Sequence, residues 1–585
     1  MGLSSVFSSE KADVSVNVNP DFSDSEPSII HDGDLAYTRV KGGNGSKPSY
    51  QEAVGAPVES SSPLGYNVGW FTVIFLNINM MIGTGIFSTP ASILNRTGSV
   101  GLALMYWVIG FFMAAAGLGV YLELASYFPN RSGGEVVYLE QQYPRPKHFF
   151  PVAFAVQSVI LNFGSSNAIV LSNYIWAMTD KTPSEWQVRG VGIAAYTLAI
   201  IFAASHNRYS LIASNVIGAI KVVTLVFISI AGLVVLGGNV KHIPDPKANF
   251  RNAFEGETPN GNDLSGALVS IVFSYAGYNN AFNVVNEIKN PIPTLRKNTS
   301  IALIIVTILY MLCNIAYFAV VPKAEFAEAN EIAASLFFNK LFKNSKSAAN
   351  ALNFFVALSA FGNLLAVLIG HSRAIREIGR QGVLPWTKIW VSTKPFGTPI
   401  GPYLLNYVLT IIMVIAPPAG DAFTFVVSLS TYPSAMFNFA LAIGVYILRR
   451  RRVRSGLGYS EFKAWHVAVI FWIFIQVFVL AMPWWPPKGG IYAGSVSFFY
   501  ATYCIVGIAI IAVCGLYYVA WMYLLPKWGK YSIRSEQIDV GHDGARTHRL
   551  VRVPNSEIPL WDEEHDEAGN LRRRNPVQSD TTLEV

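Results

Sequence analysis

The sequence predicts an all-α integral membrane protein with twelve transmembrane helices, arranged as a five-plus-five inverted repeat whose helices 1 and 6 are broken at mid-membrane. Three observations predict it. The 585-residue chain is 52% apolar and only 14% charged, whereas soluble proteins carry roughly 25% charged residues. Apolar windows near the roughly 20 residues that a span requires recur twelve times. Two of these windows are interrupted near their middle, and five spans separate their starts.

The windows run over 68–94, 100–125, 149–178, 189–204, 210–237, 264–286, 300–320, 350–370, 402–417, 422–447, 465–482 and 498–523. Repeat one is expected over 66–237 and repeat two over 263–448, with two appended helices over 465–523. Residues 1–65 are polar, rich in Ser, Asp, Glu, Gly and Pro, and show no cleavable signal after Met1, so a disordered tail is expected there. Residues 526–585 form a second, mostly polar tail. Cys313, Cys504 and Cys514 fall inside windows and read as packing residues rather than a disulfide framework.

Basic residues set the orientation. Arg449, Arg450, Arg451, Arg452 and Arg454 follow window ten; Arg373, Arg376, Arg380, Lys388 and Lys394 follow window eight; Lys289, Arg296 and Lys297 follow window six. All three loops follow even-numbered spans, so the positive-inside rule places them, and with them both tails, in the cytoplasm. The opposing 321–348 loop also carries lysines, but offsets them with Glu325, Glu328 and Glu331. The net charge of +7 sits largely in such loops and does not point to nucleic acid.

The first interruption is Ile82-Gly83-Thr84-Gly85-Ile86 and the second is Phe273-Ser274-Tyr275-Ala276-Gly277-Tyr278-Asn279-Asn280. Glycines at this spacing favour a helix break that leaves backbone groups unpaired. In lipid such a break persists only where it is buried in protein or lines a cavity. Taken singly, each glycine would equally serve helix packing. Their recurrence at the first span of each half points to an inverted-repeat transporter with its substrate near the midplane.

A zwitterionic ligand needs N–H donors for its carboxylate and carbonyl oxygens for its ammonium. Gly83, Thr84 and Gly85 open a half-helix whose positive dipole end suits a carboxylate. The carbonyls of Met81, Ile82, Phe273, Ser274 and Ala276 are the ammonium candidates. Such a main-chain clamp reads what all amino acids share and leaves the side chain to a separate pocket.

These residues resemble the amino acid–polyamine–organocation superfamily, whose five-plus-five inverted-repeat fold is the LeuT-like one. The matching pieces are Ile82–Phe87, Phe273–Asn279, Ser132-Gly133-Gly134-Glu135, Glu287-Ile288-Lys289-Asn290-Pro291 and the stretch from Ser372 to Arg380. The branch resembled is that of the L-type amino acid transporters, and within it the fungal high-affinity methionine permeases. The resemblance implies carboxylate contacts at Thr84 and Gly85, with Gly83 allowing the turn. It implies ammonium contacts at the carbonyls of Met81, Phe273 and Ala276, and an outer gate at Phe273. It further implies pocket positions at Tyr278 and Asn279, with Ser166 and Tyr432 lining the rest. Heteromeric mammalian relatives carry a cysteine in the loop after span three; residues 179–186 here have none, so no disulfide-linked heavy chain is expected.

Lys221 lies about eleven residues into span five, roughly 16 Å from its start at helical rise. A central lysine costs roughly 2.5–3.5 kcal/mol on insertion scales. Its functional reading is an ammonium that bonds the broken part of span one, where the resemblance implies a stand-in for sodium. Its structural reading is a lysine satisfied by nearby carbonyls. Glu123 and Glu287, near cytoplasmic span ends, read either as inner-gate or proton-handling groups or as carboxylates paired with a nearby base. The basic run from Arg373 to Arg380 reads as contacting inner-gate carboxylates or lipid headgroups, with a plain inside-positive anchor the main reading, and that from Arg449 to Arg454 reads as topology and headgroup attraction. Lys11, Lys41 and Lys47 are candidate ubiquitination sites or simply solvated.

The nine histidines lie outside span centres, and no His/Asp or Ser/His constellation is visible, which argues against an enzyme. No cofactor is implied. The expectation is plasma-membrane uptake of a neutral apolar amino acid, methionine first, by proton symport with alternating access. A broader neutral amino acid exchanger and a nutrient-sensing receptor are the alternatives.

Overall fold

The computed structural model describes residues 29–572 except 34, 162–163, 180, 329–332, 344, 385, 417–421, 459, 489, 493–497, 541–544 and 567. Its first half comprises α1 (Trp70–Met81), α2 (Gly85–Thr97), α3 (Val100–Tyr127), α4 (Glu135–Gln142), α5 (Phe149–Ile160), α6 (Ser165–Ala177), α7 (Glu185–Ser205) and α8 (Asn207–Leu236). The second comprises α9 (Gly261–Tyr275), α10 (Pro291–Val320), α11 (Lys323–Glu328), α12 (Ala333–Leu341), α13 (Lys346–Arg380), α14 (Thr387–Val391), α15 (Ile400–Ile415) and α16 (Ala422–Arg454). Then follow α17 (His466–Ala481) and α18 (Thr502–Val519). Among the described residues, eight helices are long and apolar enough to cross a membrane, and α1 with α2, bent by 40° at their break, makes a ninth.

Apolar side chains face both inward and outward, as a lipid-bathed helix requires. Val73, Leu76 and Ile78 of α1, Leu225 and Ile228 of α8, Val306 of α10 and Val356 and Ala360 of α13 are buried together in one core. Val223 and Ile230 of α8, Leu404, Val408 and Ile412 of α15, and Val467, Ile470 and Phe474 of α17 are exposed. A surface of that kind marks a membrane or partner contact rather than water. The three cysteines are buried and free.

Both predicted interruptions are present. The second ends α9 at Tyr275, turns through Gly277 at φ +110°, and resumes as a 3-10 segment over Asn280–Glu287. A Cβ at residue 277 would lie 2.5 Å from Met80 Cβ, so only glycine permits both the turn and the close approach. Asn290, at φ +49°, then starts α10 with Pro291 in its first turn.

Three expectations need correction. The window 149–178 is not one continuous helix: α5 ends at Ile160 and α6 starts at Ser165. The amide of Gly164, freed by that break, donates to Thr410 Oγ1 of α15 at 2.9 Å.

The second concerns the N-terminal tail, which is not disordered from residue 29 onward. It forms an antiparallel sheet of β1 (Ile29–Asp32), β2 (Leu35–Val40) and β3 (Ser49–Glu52). Leu35, Tyr37 and Tyr50 pack on Leu457, and the chain then runs on to α4. Glu52 N donates to Gln141 Oε1 at 2.8 Å and Ala56 N to Glu140 Oε1 at 3.1 Å. Polar composition hides such docking, because the partners are charged and distant in sequence.

The basic runs supply the third. Arg373 pairs with Glu287 at 3.0 Å, Arg376 with Glu59 at 2.6 Å and Arg380 with Glu377 at 2.5 Å, and all six side chains are buried. Arg449 pairs with Glu123 at 2.6 Å, Arg452 donates to Tyr50 O at 3.3 Å, and Arg454 pairs with Asp32 at 2.7 Å. These arginines hold protein rather than headgroups. The C-terminal tail carries a hairpin of β4 (Tyr531–Val540) and β5 (Ala545–Pro554). It closes on the same helix end: Arg380 Nε donates to Arg546 O at 2.8 Å and Thr547 Oγ1 to Arg380 O at 3.1 Å.

Two outcomes are expected. Glu59→Ala strands a buried guanidinium, at a cost of about 3–5 kcal/mol, so limited proteolysis should cut residues 29–65 far faster in the variant than in the parent. Burial first, and the Glu140 carboxylate second, push Glu52 up to about 7, against about 4.3 for a free side chain. The docked tail therefore holds a proton that the free tail releases. Docking is strongest below about pH 4 and loses this contribution as pH rises to about 7; Glu52→Gln should flatten the pH dependence of proteolysis.

Candidate functional site

The break after α1 leaves carbonyls without the amides that a continuing helix would supply. Ile82 N still reaches Ile78 O at 2.7 Å, and the next carbonyls are held by other helices. Asn79 O accepts from Lys221 Nζ at 2.9 Å and Asn363 Nδ2 at 3.0 Å. Met80 O accepts from the same Asn363 amide at 2.6 Å. Met81 O accepts from Tyr310 Oη at 2.5 Å and Gly83 N at 2.8 Å. Ile82 O accepts from Lys221 Nζ at 2.7 Å and Ser359 Oγ at 3.3 Å. α8, α10 and α13 thus each place a polar side chain on one helix end. Lys221 is buried there, and its hydrogen-bond partners are carbonyls rather than a carboxylate.

On the far side of the break, α2 begins at Gly85 with Thr84 as its flanking residue. Phe87 N and Ser88 N donate to Thr84 O at 3.1 and 2.9 Å, so the amides ahead of them are the ones that point back along the axis without an intrahelical acceptor, and the dipole adds a partial positive charge. Thr84 Oγ1 donates to Asn167 Oδ1 of α6 at 3.1 Å, which aims the hydroxyl away from its own helix. A Cβ at Gly83 would lie 2.5 Å from Asn363 Nδ2, and one at Gly85 2.8 Å from Ser274 Cα. Gly85 therefore sets how closely α2 crosses α9. Thr89 Oγ1 reinforces that crossing, reaching Gly85 O at 2.9 Å and Ser274 Oγ at 2.9 Å.

The second break faces the first. Tyr310 Oη lies between Met81 O and Ser274 O, at 2.5 and 2.9 Å, so one hydroxyl proton is shared by the last turns of both half-helices. Asn77 Nδ2 donates to Tyr278 O at 2.6 Å, and Ala281 N donates to Asn77 Oδ1 at 2.8 Å. Asn280 Nδ2 donates to Leu76 O and to Ala366 O, both at 3.2 Å. Phe273 O accepts from Ala276 N at 3.2 Å, and Phe273 and Ala276 are partly exposed. Asn279 Nδ2 donates to Glu135 Oε1 at 2.8 Å.

The structure therefore gathers Met81, Ile82, Gly83, Thr84, Gly85, Phe273, Ser274, Ala276, Tyr278, Asn279 and Lys221 around two facing breaks. It does not bring Tyr432 there: that hydroxyl donates to Leu480 O at 3.1 Å and accepts from Trp484 Nε1 at 2.9 Å. Ser166 is buried beside the site, but its neighbour Asn167 is the residue that meets Thr84. Glu123 is held by Arg449 at 2.7 and 2.6 Å and by Ala464 N at 2.8 Å. Glu287 is held by Arg373 at 3.0 Å and by Asn207 Nδ2 at 3.4 Å. Both carboxylates tie helix ends together.

Sequence reasoning missed Asn77, Asn167, Tyr310, Ser359 and Asn363. Each is a polar side chain inside an apolar window, where hydropathy averaging hides it. The usable signal was the polar residue itself, which in a span must find a partner. Among the described residues, no three His, Cys, Asp or Glu side chains converge to hold a metal ion.

The sequence pattern of an amino acid permease family matches residues 68–511. The high-affinity methionine permease of Saccharomyces cerevisiae is 34% identical over 502 residues, covering 85% of this chain and 86% of that one. The low-affinity methionine permease of the same yeast is 28% identical over 563 residues, covering 94% and 99%. The b(0,+)-type amino acid transporter 1 of Mus musculus is 30% identical over 392 residues, covering 66% and 76%. These relatives are transporters rather than enzymes, and the family match spans both breaks; the chain belongs to the amino acid permease family.

Proposed function

We propose that this permease takes up methionine, or a neutral apolar amino acid of similar size, by proton symport with alternating access. The observation that carries the reading is the pair of facing breaks joined by Tyr310. First-turn amides of α2 offer the carboxylate its donors, from Thr84 and Gly85, with Gly83 allowing the approach. The carbonyls of Met81, Phe273 and Ala276, at the ends of the two facing half-helices, receive the ammonium, with Tyr278 and Asn279 beside the side chain. Two relatives named as methionine permeases support methionine as substrate.

Twelve spans in a LeuT-like five-plus-five arrangement fit this reading. The nine spans by length and composition are joined by α5 with α6, by α9 with the segment after it, and by α15. The plasma membrane is the site of uptake, with both termini in the cytoplasm, where the arginine-rich span ends lie. Lys221 occupies the carbonyl cage that a sodium ion would otherwise use, which favours the proton as coupling ion. The 179–186 loop has no cysteine, so the permease works without a disulfide-linked heavy chain.

The test is radiolabelled methionine uptake in cells that lack their own methionine permeases, with and without a proton uncoupler and with unlabelled amino acids as competitors. Uncoupler-sensitive, sodium-independent uptake is the expected result. Sodium dependence, or uncoupler-insensitive obligatory exchange, would overturn the coupling. Gly85→Val drives a side chain into Ser274 Cα, and a misplacement of that order costs about 100-fold or more in uptake with the protein still at the surface; full activity would remove the site assignment. Lys221→Met strips a charged donor worth about 1.5–3 kcal/mol from the carbonyls of Asn79 and Ile82, so uptake should fall at least tenfold, as about 1.4 kcal/mol is a factor of ten.

A further inference from the structure

Glu135 opens α4 directly after the glycine pair Gly133-Gly134. Gly133 N donates to Asn283 O at 3.2 Å, which pins this corner to the segment after the second break. The Glu135 carboxylate lies between α3 and that break, accepting from Asn279 Nδ2 at 2.8 Å and from the Tyr121 hydroxyl. The other titratable groups that face it are also phenols: Tyr138 on its own helix and Tyr278 in the break.

Its surroundings set it apart from the other enclosed acids of the helical body; Glu52, also without an arginine partner among the described residues, lies in the N-terminal sheet. Glu59, Glu123, Glu140, Glu287 and Glu377 each pair with an arginine. Among the described residues Glu135 has no basic partner, and its carboxylate meets only neutral donors. Desolvation raises its carboxyl above the ordinary range, opposed by the hydrogen bonds from Tyr121 and Asn279. An arginine-paired acid stays ionised through a cycle; an acid facing neutral donors can change state.

We propose that Glu135 is the proton-binding site of the transport cycle, and that Asn279 conveys its ionisation state to the facing breaks. The inference rests on the proton-symport reading above. The carboxylate takes up one proton in each cycle and returns it to water on the cytoplasmic side. Ionised, it accepts from both Tyr121 and Asn279. Protonated, it becomes a donor and holds Asn279 less firmly. Asn279 adjoins Tyr278, whose carbonyl accepts from Asn77 of α1 at 2.6 Å, so the change reaches both half-helices.

The test uses the full-length protein in proteoliposomes with radiolabelled methionine. Accumulation is driven by an inward pH gradient, and counterflow is measured separately against preloaded methionine without a gradient. For the parent, one pH unit supports an accumulation ratio of up to about tenfold. Glu135→Gln should bring that ratio to one while counterflow persists, and should flatten the pH profile. Glu135→Asp should restore part of the accumulation. Tyr121→Phe removes a donor to the ionised form, so the pH midpoint of uptake should move up by about one unit.

Accumulation by Glu135→Gln equal to the parent's would overturn the assignment and leave proton symport standing. Loss of both accumulation and counterflow in Glu135→Gln and Glu135→Asp alike would overturn it in favour of a structural role. A parent that fails to accumulate methionine under the gradient would overturn proton symport itself, and this inference with it.

Discussion

A carbonyl oxygen inside a hydrocarbon layer has no water to turn to, and each one left without a donor costs several kcal/mol. Breaking α1 releases the carbonyls of residues 79 to 82 at once. They are met by Lys221 of α8, Tyr310 of α10, and Ser359 and Asn363 of α13. The break thereby dictates how three distant helices pack: each must bring one particular side chain to one particular oxygen. Tyr310 extends the constraint to the second break, because its single proton serves Met81 and Ser274 together. Neither half-helix can shift without leaving an oxygen in need.

The end of α13 is governed by charge rather than by backbone. Arg373, Arg376 and Arg380 are each buried against carboxylates drawn from the segment after the second break, from the N-terminal segment and from their own helix. Buried pairs add little net stability over apolar packing, but losing one partner is expensive. They act here as register marks, fixing which strand of which tail meets which turn. The described parts of both tails are consequently part of the folded helical body at this end.

The spans and the two breaks were legible in the sequence because length, apolarity and paired glycines are local signals. Gly83, Gly85 and Gly277 announced themselves by being poor helix formers in apolar windows. Lys221 was legible as a charge where charge is costly, and its carbonyl partners followed from the break beside it. The folding of residues 29–65 was not legible, since it depends on Glu59 finding Arg376 across more than three hundred positions. Nor was the separation of α5 from α6, where the amide of Gly164 is answered by Thr410 from the other half of the chain. Tyr432 was misplaced because an aromatic in a late span has many partners open to it, and Trp484 took it.

Lys221 has one more consequence. A metal ion in a cage of carbonyls can leave it, and by leaving carry charge down a gradient. An ammonium on a four-carbon stem is moored to α8 and cannot be exported. The cage formed by the carbonyls of Asn79 and Ile82 is thus closed by a group that travels only as far as α8 itself travels.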